Sequence, residues 1–414
     1  MTPSRLKVVW HWVSMGPYHF ARMSALAQVP GIELTVVENT SSDDHGWIRD
    51  ALPGNVRMIT LSRERLSSKV LKDTSPALGN VLRQHRPDVF VSGGSYYEPH
   101  SLSVVHDFKR DSPAGALLMW SETTQIDHRR YGPKEFVKRC FISVFDGAVV
   151  AGEPHAIYLQ QLGMPADNIQ VVGNVVDNDF FSTRADEARR QAQVAPDLTI
   201  PRDFFLYVGR MIPVKNLPRL LEAYRIYRQR GGSSDLMLIG NGPQEAALRQ
   251  QAEASGLEGI WFAGLRQVHE LPHYYARAKC LVLPSLSEPW GLVVNEAMAS
   301  GIPVIVSNRC GCAAPLVQEG VNGFLFDPLK PHSLAELFLK LSSGEASIES
   351  MGANARKTVA NFSPQLFASR VADHLQSLCA RKLQQAEESH RGAVLKRLAL
   401  RSTDVMSSVW ARFN

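Results

Sequence analysis

The feature that most limits the fold of this chain is a rhythm that occurs twice: short, almost wholly apolar runs alternate with longer amphipathic segments. In the first half the apolar runs are 6–12, 32–38, 56–61, 88–92, 116–120, 147–151 and 169–172. Strands buried on both faces read this way, and a parallel sheet covered by helices requires them. In the second half, runs at 204–208, 236–239, 260–262, 280–283 and 303–306 alternate with helical patterns at 217–229, 245–254, 271–278 and 292–299. Gly256 and Gly301 stand just past two of those patterns, where a left-handed C-cap favours glycine. Between 178 and 203 the rhythm stops in a polar, Arg- and Ala-rich stretch that ends near Pro201. The expected fold is therefore α/β, with two doubly wound, Rossmann-like domains facing each other across a cleft. The first spans 1–185, a linker 186–202, the second 203–365, and C-terminal helices with a basic amphipathic tail 366–414. A length of 414 residues, long for a single core, agrees with two domains.

Composition excludes several classes. An apolar fraction of 44% with 21% charged residues is that of soluble globular protein. The five cysteines, Cys140, Cys280, Cys310, Cys312 and Cys379, are odd in number and scattered, so a disulfide framework is not expected. Cys310 and Cys312 are too close for an ordinary zinc half-site, and no second pair accompanies them. A reduced, cytoplasmic setting is the expectation. The N-terminal stretch has about seven apolar residues and no small-residue cleavage site, and reads as a first strand rather than a signal peptide. No window approaches the ~20 apolar residues of a membrane span. A net charge of +5 suits anionic ligands or lipid head groups and gives no reason to expect nucleic acid.

The chemistry concentrates in Ser287-Glu288-Pro289-Trp290-Gly291-Leu292-Val293-Val294-Asn295-Glu296, which follows a buried run and opens a helical pattern. Gly291 permits close backbone approach. The amides of Gly291, Leu292 and Val293 at the start of a helix form an anion site suited to phosphate. Glu288 lies in the loop and Glu296 about one turn inside the helix. Two carboxylates beside a phosphate would repel it unless they served hydroxyls, and sugar and ribose hydroxyls donate well to carboxylates. The pattern thus points to a nucleotide sugar more than to a bare phosphate, although each glutamate alone could equally be solvated. Arg210 and Lys215 follow the first strand-like run of this half and bring two cations to the ligand edge, where departing diphosphate charge needs partners. Gly240-Asn241-Gly242-Pro243 closes the next run. The third glycine of a dinucleotide fingerprint is missing, so this reads as a strand-to-helix turn lining the cleft.

Residues 204–328 resemble family 4 of the retaining glycosyltransferases, which have the two-domain GT-B fold. The resemblance rests on FFLYVGRMIPVKNL, LMLIGNGP, WFAGLRQVHELPHYYARA, LPSLSEPWGLVVNEAMASGIPVI with its Glu-x7-Glu spacing, and GVNGFLF. In the first domain SMGPYHF and VGNVVD match more loosely. The resemblance implies that Arg210 and Lys215 bind the donor diphosphate, that Glu288 holds donor-sugar hydroxyls and that Glu296 holds the ribose. It places Arg266 near the base, and Gly16 where the first domain approaches the phosphate or acceptor. It implies retention of anomeric configuration by same-face attack, a leaving phosphate oxygen helping to deprotonate the acceptor, with no metal and no cofactor beyond the nucleotide-sugar co-substrate. There are two departures. Many members carry a histidine after the strand equivalent to 116–120, where this chain reads Trp120-Ser121-Glu122; Glu122 joins Glu288, Arg210 and Lys215 as a candidate catalytic residue, facing donor sugar or acceptor. The family's Gly-Gly-x-Pro-Glu element reads Gly311-Cys312-Ala313-Ala314-Pro315-Leu316 here, without the acid.

Other motifs compete. His269-Glu270-Leu271-Pro272-His273 has the H-E-x-x-H form of zinc proteases, but Pro272 sits in the turn that must present both histidines. Asp177-Asn178-Asp179 has the D-x-D form of metal-bound diphosphate sites, yet falls at the domain junction. His106, Asp107 and His128 read as solvated or capping residues. Arg129, Arg130, Lys134, Lys138 and Arg139 form a basic cluster in the first domain, readable as a solvated face or as a membrane docking surface. In the tail Val394, Leu395, Leu398, Val405, Val409 and Phe413 recur at helical spacing beside Lys396, Arg397, Arg401 and Arg412, which fits a helix packed on the body or one lying on a membrane. The sequence reading is a metal-independent hexosyltransferase moving sugar to a glycan or lipid-linked acceptor in bacterial polysaccharide assembly, cytoplasmic or peripheral at the inner membrane face. A nucleotide-sugar epimerase on the same fold and a non-catalytic sugar-nucleotide-binding partner are the alternatives.

Overall fold

The structure, a computed structural model, describes residues 5–42, 52–93, 99–125, 130, 132–194 and 200–384. Strands β1 (Leu6–Trp12), β2 (Ile32–Ser42), β3 (Arg57–Arg65), β4 (Val89–Ser92), β5 (Ala116–Ser121), β6 (Gly147–Val150) and β7 (Ile169–Val171) form one sheet. Its order is β3-β2-β1-β4-β5-β6-β7, and every pairing is parallel. Strands β8 (Phe204–Val208), β9 (Asp235–Ile239), β10 (Ile260–Gly264), β11 (Cys280–Leu283), β12 (Val304–Ser307) and β13 (Gly323–Phe326) form the second, also parallel, in the order β10-β9-β8-β11-β12-β13. In both sheets the strand order reverses after the first strand, between β1 and β4 and between β8 and β11. Ligand crevices open at such switch points, outside the carboxyl ends of the strands.

The central strands are buried along their whole length, as their unbroken apolar sequences require. Two differences from the sequence reading stand out. Strand β13 has only four residues behind a turn, too short to announce itself by pattern, and pairing with β12 from Val304↔Gly323 to Ser307↔Phe326 fixes it. The stretch read as an interruption begins with a helix, Asn178–Val194. Its apolar stripe is narrow, chiefly Phe181, Ala185 and Ala188, and the polar remainder hides it from composition. That helix is tied to the second domain by Asp186 on Arg356 (2.6 and 3.1 Å) and by Arg189 donating to the Ser300 carbonyl (2.5 Å).

The chain then returns. A helix over 364–384 leaves the second domain and packs on the first. Arg370 donates to the Val172 carbonyl at 3.3 Å, and Lys382 Nζ reaches the Gly115 carbonyl at 2.7 Å and Asp146 at 2.9 Å. Phe367 sits 6.3 Å from Trp10 and 6.0 Å from Trp120, ring to ring. Buried aromatics of this kind each contribute roughly 1.5–3 kcal/mol by removal from water, so this contact fastens the two domains. The tail residues from Val394 to Phe413, together with Arg129 and His128, lie outside the described residues.

Candidate active site

The floor of the cleft is backbone. Gly209 ends β8 with φ +151°, and Gly240 and Gly242 follow β9 with φ +129° and +156°, in the region that favours glycine. A Cβ on Gly240 would lie 2.0 Å from the Gly209 carbonyl oxygen, and one on Gly242 2.5 Å from that of Met211. The two strand-to-helix turns therefore touch without side chains between them. Arg210, Asn241, Arg266, Val268 and Val293 rise around this floor, and Tyr18 of the first domain closes it from across the cleft. Four of the expected donor-site residues, Arg210, Asn241, Arg266 and Val293, thus line one cavity. Arg266 lies 3.7 Å from Glu270 and over the ring of Tyr274 at 5.8 Å.

Beside the cavity the loop after β11 is braced first by backbone. Gly311 donates to the Glu288 carbonyl (2.9 Å) and Cys312 to that of Trp290 (3.1 Å). A Cβ on Gly311 would lie 1.9 Å from the Pro289 oxygen, so the Cys-Gly-Cys segment is a brace for this loop. Gly291, at φ +103°, caps the helix Leu292–Ala299. On the facing turn Asn216 adopts φ +61° and donates to the carbonyls of Pro284 (3.1 Å) and Pro328 (2.9 Å). These braces bring together Lys215 and Glu288, 73 residues apart, as an ion pair whose side chains are 17% and 13% exposed.

Glu296 is enclosed. It is fully buried, its Oε2 accepting from the Tyr275 hydroxyl at 2.6 Å and its Oε1 from the Tyr18 hydroxyl. Burial raises its pKa above the usual carboxylate range, opposed by the two phenol bonds. Burial, together with the charge of Glu296, pushes both tyrosines well above their ordinary value. Tyr18 sits on the helix Pro17–Ala27, whose N-cap, Gly16, donates its N–H to His19 Nδ1 at 2.8 Å. One carboxylate of the second domain is thus bonded by a phenol from each domain.

Glu122 follows β5 and accepts from Asn174 Nδ2 at 2.6 Å. The Asn174 carbonyl accepts from Asn295 (3.0 Å), whose Oδ1 accepts from Trp290 Nε1 (2.9 Å). A chain of hydrogen bonds therefore links Glu122 to the loop that carries Glu288. His155 adds a second link, its Nε2 lying 3.0 Å from the Pro289 carbonyl and its Nδ1 3.2 Å from that of Gly152. Sequence reasoning missed Tyr18, His155, Asn174, Tyr275 and Asn295 as site residues. No local spacing marks them, because each acts on a residue distant in the chain.

The competing motifs have structural places. Asp177 Oδ1 accepts the Phe180 N–H at 2.9 Å and Asn178 donates to the carbonyls of Val359 and Phe362, so D-x-D starts a helix and fastens it. The helix Leu271–Tyr275 has five residues, and Glu270 accepts the Gln267 N–H at 2.7 Å. Among the described residues no group of three or more His, Cys, Asp or Glu side chains could hold a metal ion.

Comparison with known proteins agrees with this geometry. The family model "Glycosyl transferases group 1" matches residues 191–358. The amylovoran biosynthesis glycosyltransferase AmsK of Erwinia amylovora is 30% identical over 225 residues, 52% of this chain and 53% of that protein. The D-inositol 3-phosphate glycosyltransferase of Corynebacterium glutamicum (strain R) is 28% identical over 271 residues, 64% of this chain and 62% of that protein. The chain thus spans a little over half the length of these curated relatives. Among solved structures, sucrose-phosphate synthase from Thermosynechococcus elongatus superposes with a TM-score of 0.72 at 20% identity, covering 91% of this chain and all of that one. Residues 191–358 therefore match the group 1 glycosyltransferase model, within a chain whose two parallel sheets form the GT-B fold.

Proposed function

We propose that this protein is a retaining hexosyltransferase of family 4, moving sugar from a nucleotide-sugar donor to a glycan or lipid-linked acceptor in polysaccharide or glycolipid assembly. The observation that carries the reading is the meeting of Lys215 with Glu288 at the carboxyl edge of the second sheet, beside a floor of bare backbone. A cation and a hydroxyl-binding carboxylate side by side suit the junction of diphosphate and sugar, and little else that fits such a floor.

In this reading the diphosphate lies between Arg210, Lys215 and the amides that open Leu292–Ala299, all of which oppose the charge that grows as the glycosidic bond breaks. Glu288 leaves Lys215 to accept donor-sugar hydroxyls. Arg266 and Asn241 border the base and ribose, and Gly16 gives the first domain close approach to the phosphate. Glu296 accepts from ribose only after a phenol leaves it, and Tyr18, carried by the opposite domain, leaves when the cleft opens. Closure then aligns the acceptor with the anomeric carbon and excludes water. Glu122 orients the acceptor hydroxyl, and no metal takes part.

Proton NMR of the protein incubated with single α-linked nucleotide sugars tests this. Slow transfer to water should release nucleoside diphosphate and the α-anomer of the sugar first. A first-formed β-anomer overturns retention. Absence of nucleotide release from every donor, with and without candidate acceptors, overturns the transferase reading.

A further inference from the structure

A second cavity, of about 350 Å3, opens where the chain crosses between the domains. The first domain contributes the helix Pro17–Ala27, on which Phe20, Ser24 and the capping Gln28 recur at four-residue spacing and so share a side. The second domain contributes His269, in the segment after β10. Phe181 on the outgoing crossing and Pro364 on the returning one complete the lining. Tyr18, Gln267 and Val268 line both this cavity and the donor cavity, so the two adjoin, whereas Lys215 and Glu288 do not line this one.

The chemistry of the two cavities differs. In the second, Phe20 and Phe181 are buried and supply an apolar, aromatic surface. Around it stand groups that donate or accept hydrogen bonds: Ser24, Gln28, His269 and Gln365, with Asp177 as the single carboxylate. Among the described residues no lysine or arginine lines this cavity, whereas Arg210 and Arg266 line the donor cavity. Asp177 accepts the Phe180 N–H at 2.9 Å, and no described cation pairs with it. A phosphate here would meet a carboxylate with no cation to offset it, so a second nucleotide is a poor occupant. Small-ligand sites hold ~300–1,000 Å3 and combine apolar walls with a few polar groups, as this cavity does. A pyranose ring, with an apolar C–H face and a rim of hydroxyls, is the complement of such a lining.

We infer that this hinge cavity binds a neutral saccharide, and that the saccharide opposes the nucleotide sugar. Both domains and both crossings wall the cavity, so its shape depends on the angle between the domains. It is formed in the state where the Tyr18 hydroxyl bonds Glu296. A ligand that fills it favours that state over the one Tyr18 has left. The coupling rests on the transferase reading, in which ribose takes Glu296 only after Tyr18 departs. Saccharide in the hinge then lowers donor affinity, and donor lowers saccharide affinity by the same factor. A glycan is the product class of the proposed reaction, so the cavity lets product restrain donor uptake.

Saturation-transfer NMR of the full chain with maltose, lactose, α-mannobiose and chitobiose tests the site, and calorimetry with UDP, GDP and ADP tests the coupling. At least one disaccharide should receive saturation. Ser24→Phe fills the cavity and should abolish the transfer. Asp177→Asn keeps an acceptor for the Phe180 N–H and should weaken saccharide binding about tenfold. Lys215→Ala should leave saccharide binding intact, which separates the hinge from the donor cavity. Saturating disaccharide should weaken nucleotide binding about fivefold in the wild type and leave it unchanged in Ser24→Phe. Circular dichroism should be the same in all variants. Nucleotide binding without binding of any disaccharide overturns the inference and leaves the transferase reading standing. Disaccharide binding without any nucleotide binding sinks the transferase reading, and the coupling with it, while the site stands. Transfer that survives Ser24→Phe, transfer lost in Lys215→Ala, or nucleotide affinity that saccharide leaves unchanged or raises would each overturn the inference.

Discussion

Replacing Tyr275 by phenylalanine removes one hydroxyl group, and its consequence is set by Glu296. Both residues are fully buried, and the hydroxyl is 2.6 Å from a carboxylate oxygen that has no access to water. A hydrogen bond to a charged group contributes about 1.5–3 kcal/mol, and an anionic oxygen left dry forfeits most of it. Tyr275→Phe should therefore cost about 2 kcal/mol in urea unfolding at neutral pH, read at the transition of the second domain. In a Glu296→Gln background the acceptor is neutral and the same hydroxyl is worth about 1 kcal/mol, leaving a coupling of about 1 kcal/mol between the two positions. The pH dependence has a definite sign. Folding raises the pKa of Glu296, so the stability it supplies is complete below the ordinary carboxylate range and is lost as pH rises through the folded value. Glu296→Gln should therefore gain stability relative to wild type as pH rises, while losing affinity for the donor. A Tyr275→Phe midpoint equal to wild type, or the same loss in both backgrounds, would refute this picture of a buried carboxyl group held by two phenols.

Other consequences are as direct. Gly311→Ala places a methyl 1.9 Å from the Pro289 carbonyl and should displace the loop of Glu288, abolishing nucleotide-sugar turnover in a coupled assay while circular dichroism stays close to wild type. His155→Ala takes the ring nitrogen from the Pro289 carbonyl and should weaken donor affinity, by calorimetry, more than it lowers the saturated rate. Burial lowers the pKa of His11 and of His374 to about 4, the latter helped by the charge of Arg381, so stability should fall as pH drops from about 6.5 toward 4. The slope should approach 1.4 kcal/mol per unit for each group, and His374→Gln should flatten it in acid unfolding curves.

Much of the fold was legible because parallel sheets write themselves as apolar runs. Every strand of the first sheet and five of the second followed from that signal. Strand β13, at four residues, and the helix Asn178–Val194, with a thin apolar stripe in polar company, fell below it. The loop of Glu288 and the turns at Arg210 and Asn241 were legible because glycines and charges at strand ends have few structural uses. Tyr18 and Tyr275 were not, since a phenol on a helix or in a turn looks like core until the carboxylate it meets, 278 or 21 residues away, is known. The basic cluster was legible only in part: sequence counts charges, and only packing shows that Tyr158 and Glu135 hold Arg130 and Lys138 against the body of the domain.

The central claim is that the carboxyl edge of the second sheet binds a nucleotide sugar through Lys215. A thermal-shift panel of UDP-, GDP-, ADP- and dTDP-sugars in EDTA, with Lys215→Ala beside the wild type, tests it most directly. Ligand at ~100 times its dissociation constant should add about 2.7 kcal/mol to the folded state. The account predicts that one nucleotide class raises the Tm of the wild type and leaves the variant unmoved. A well-folded wild type that no nucleotide sugar stabilises, or a variant stabilised equally, would contradict it.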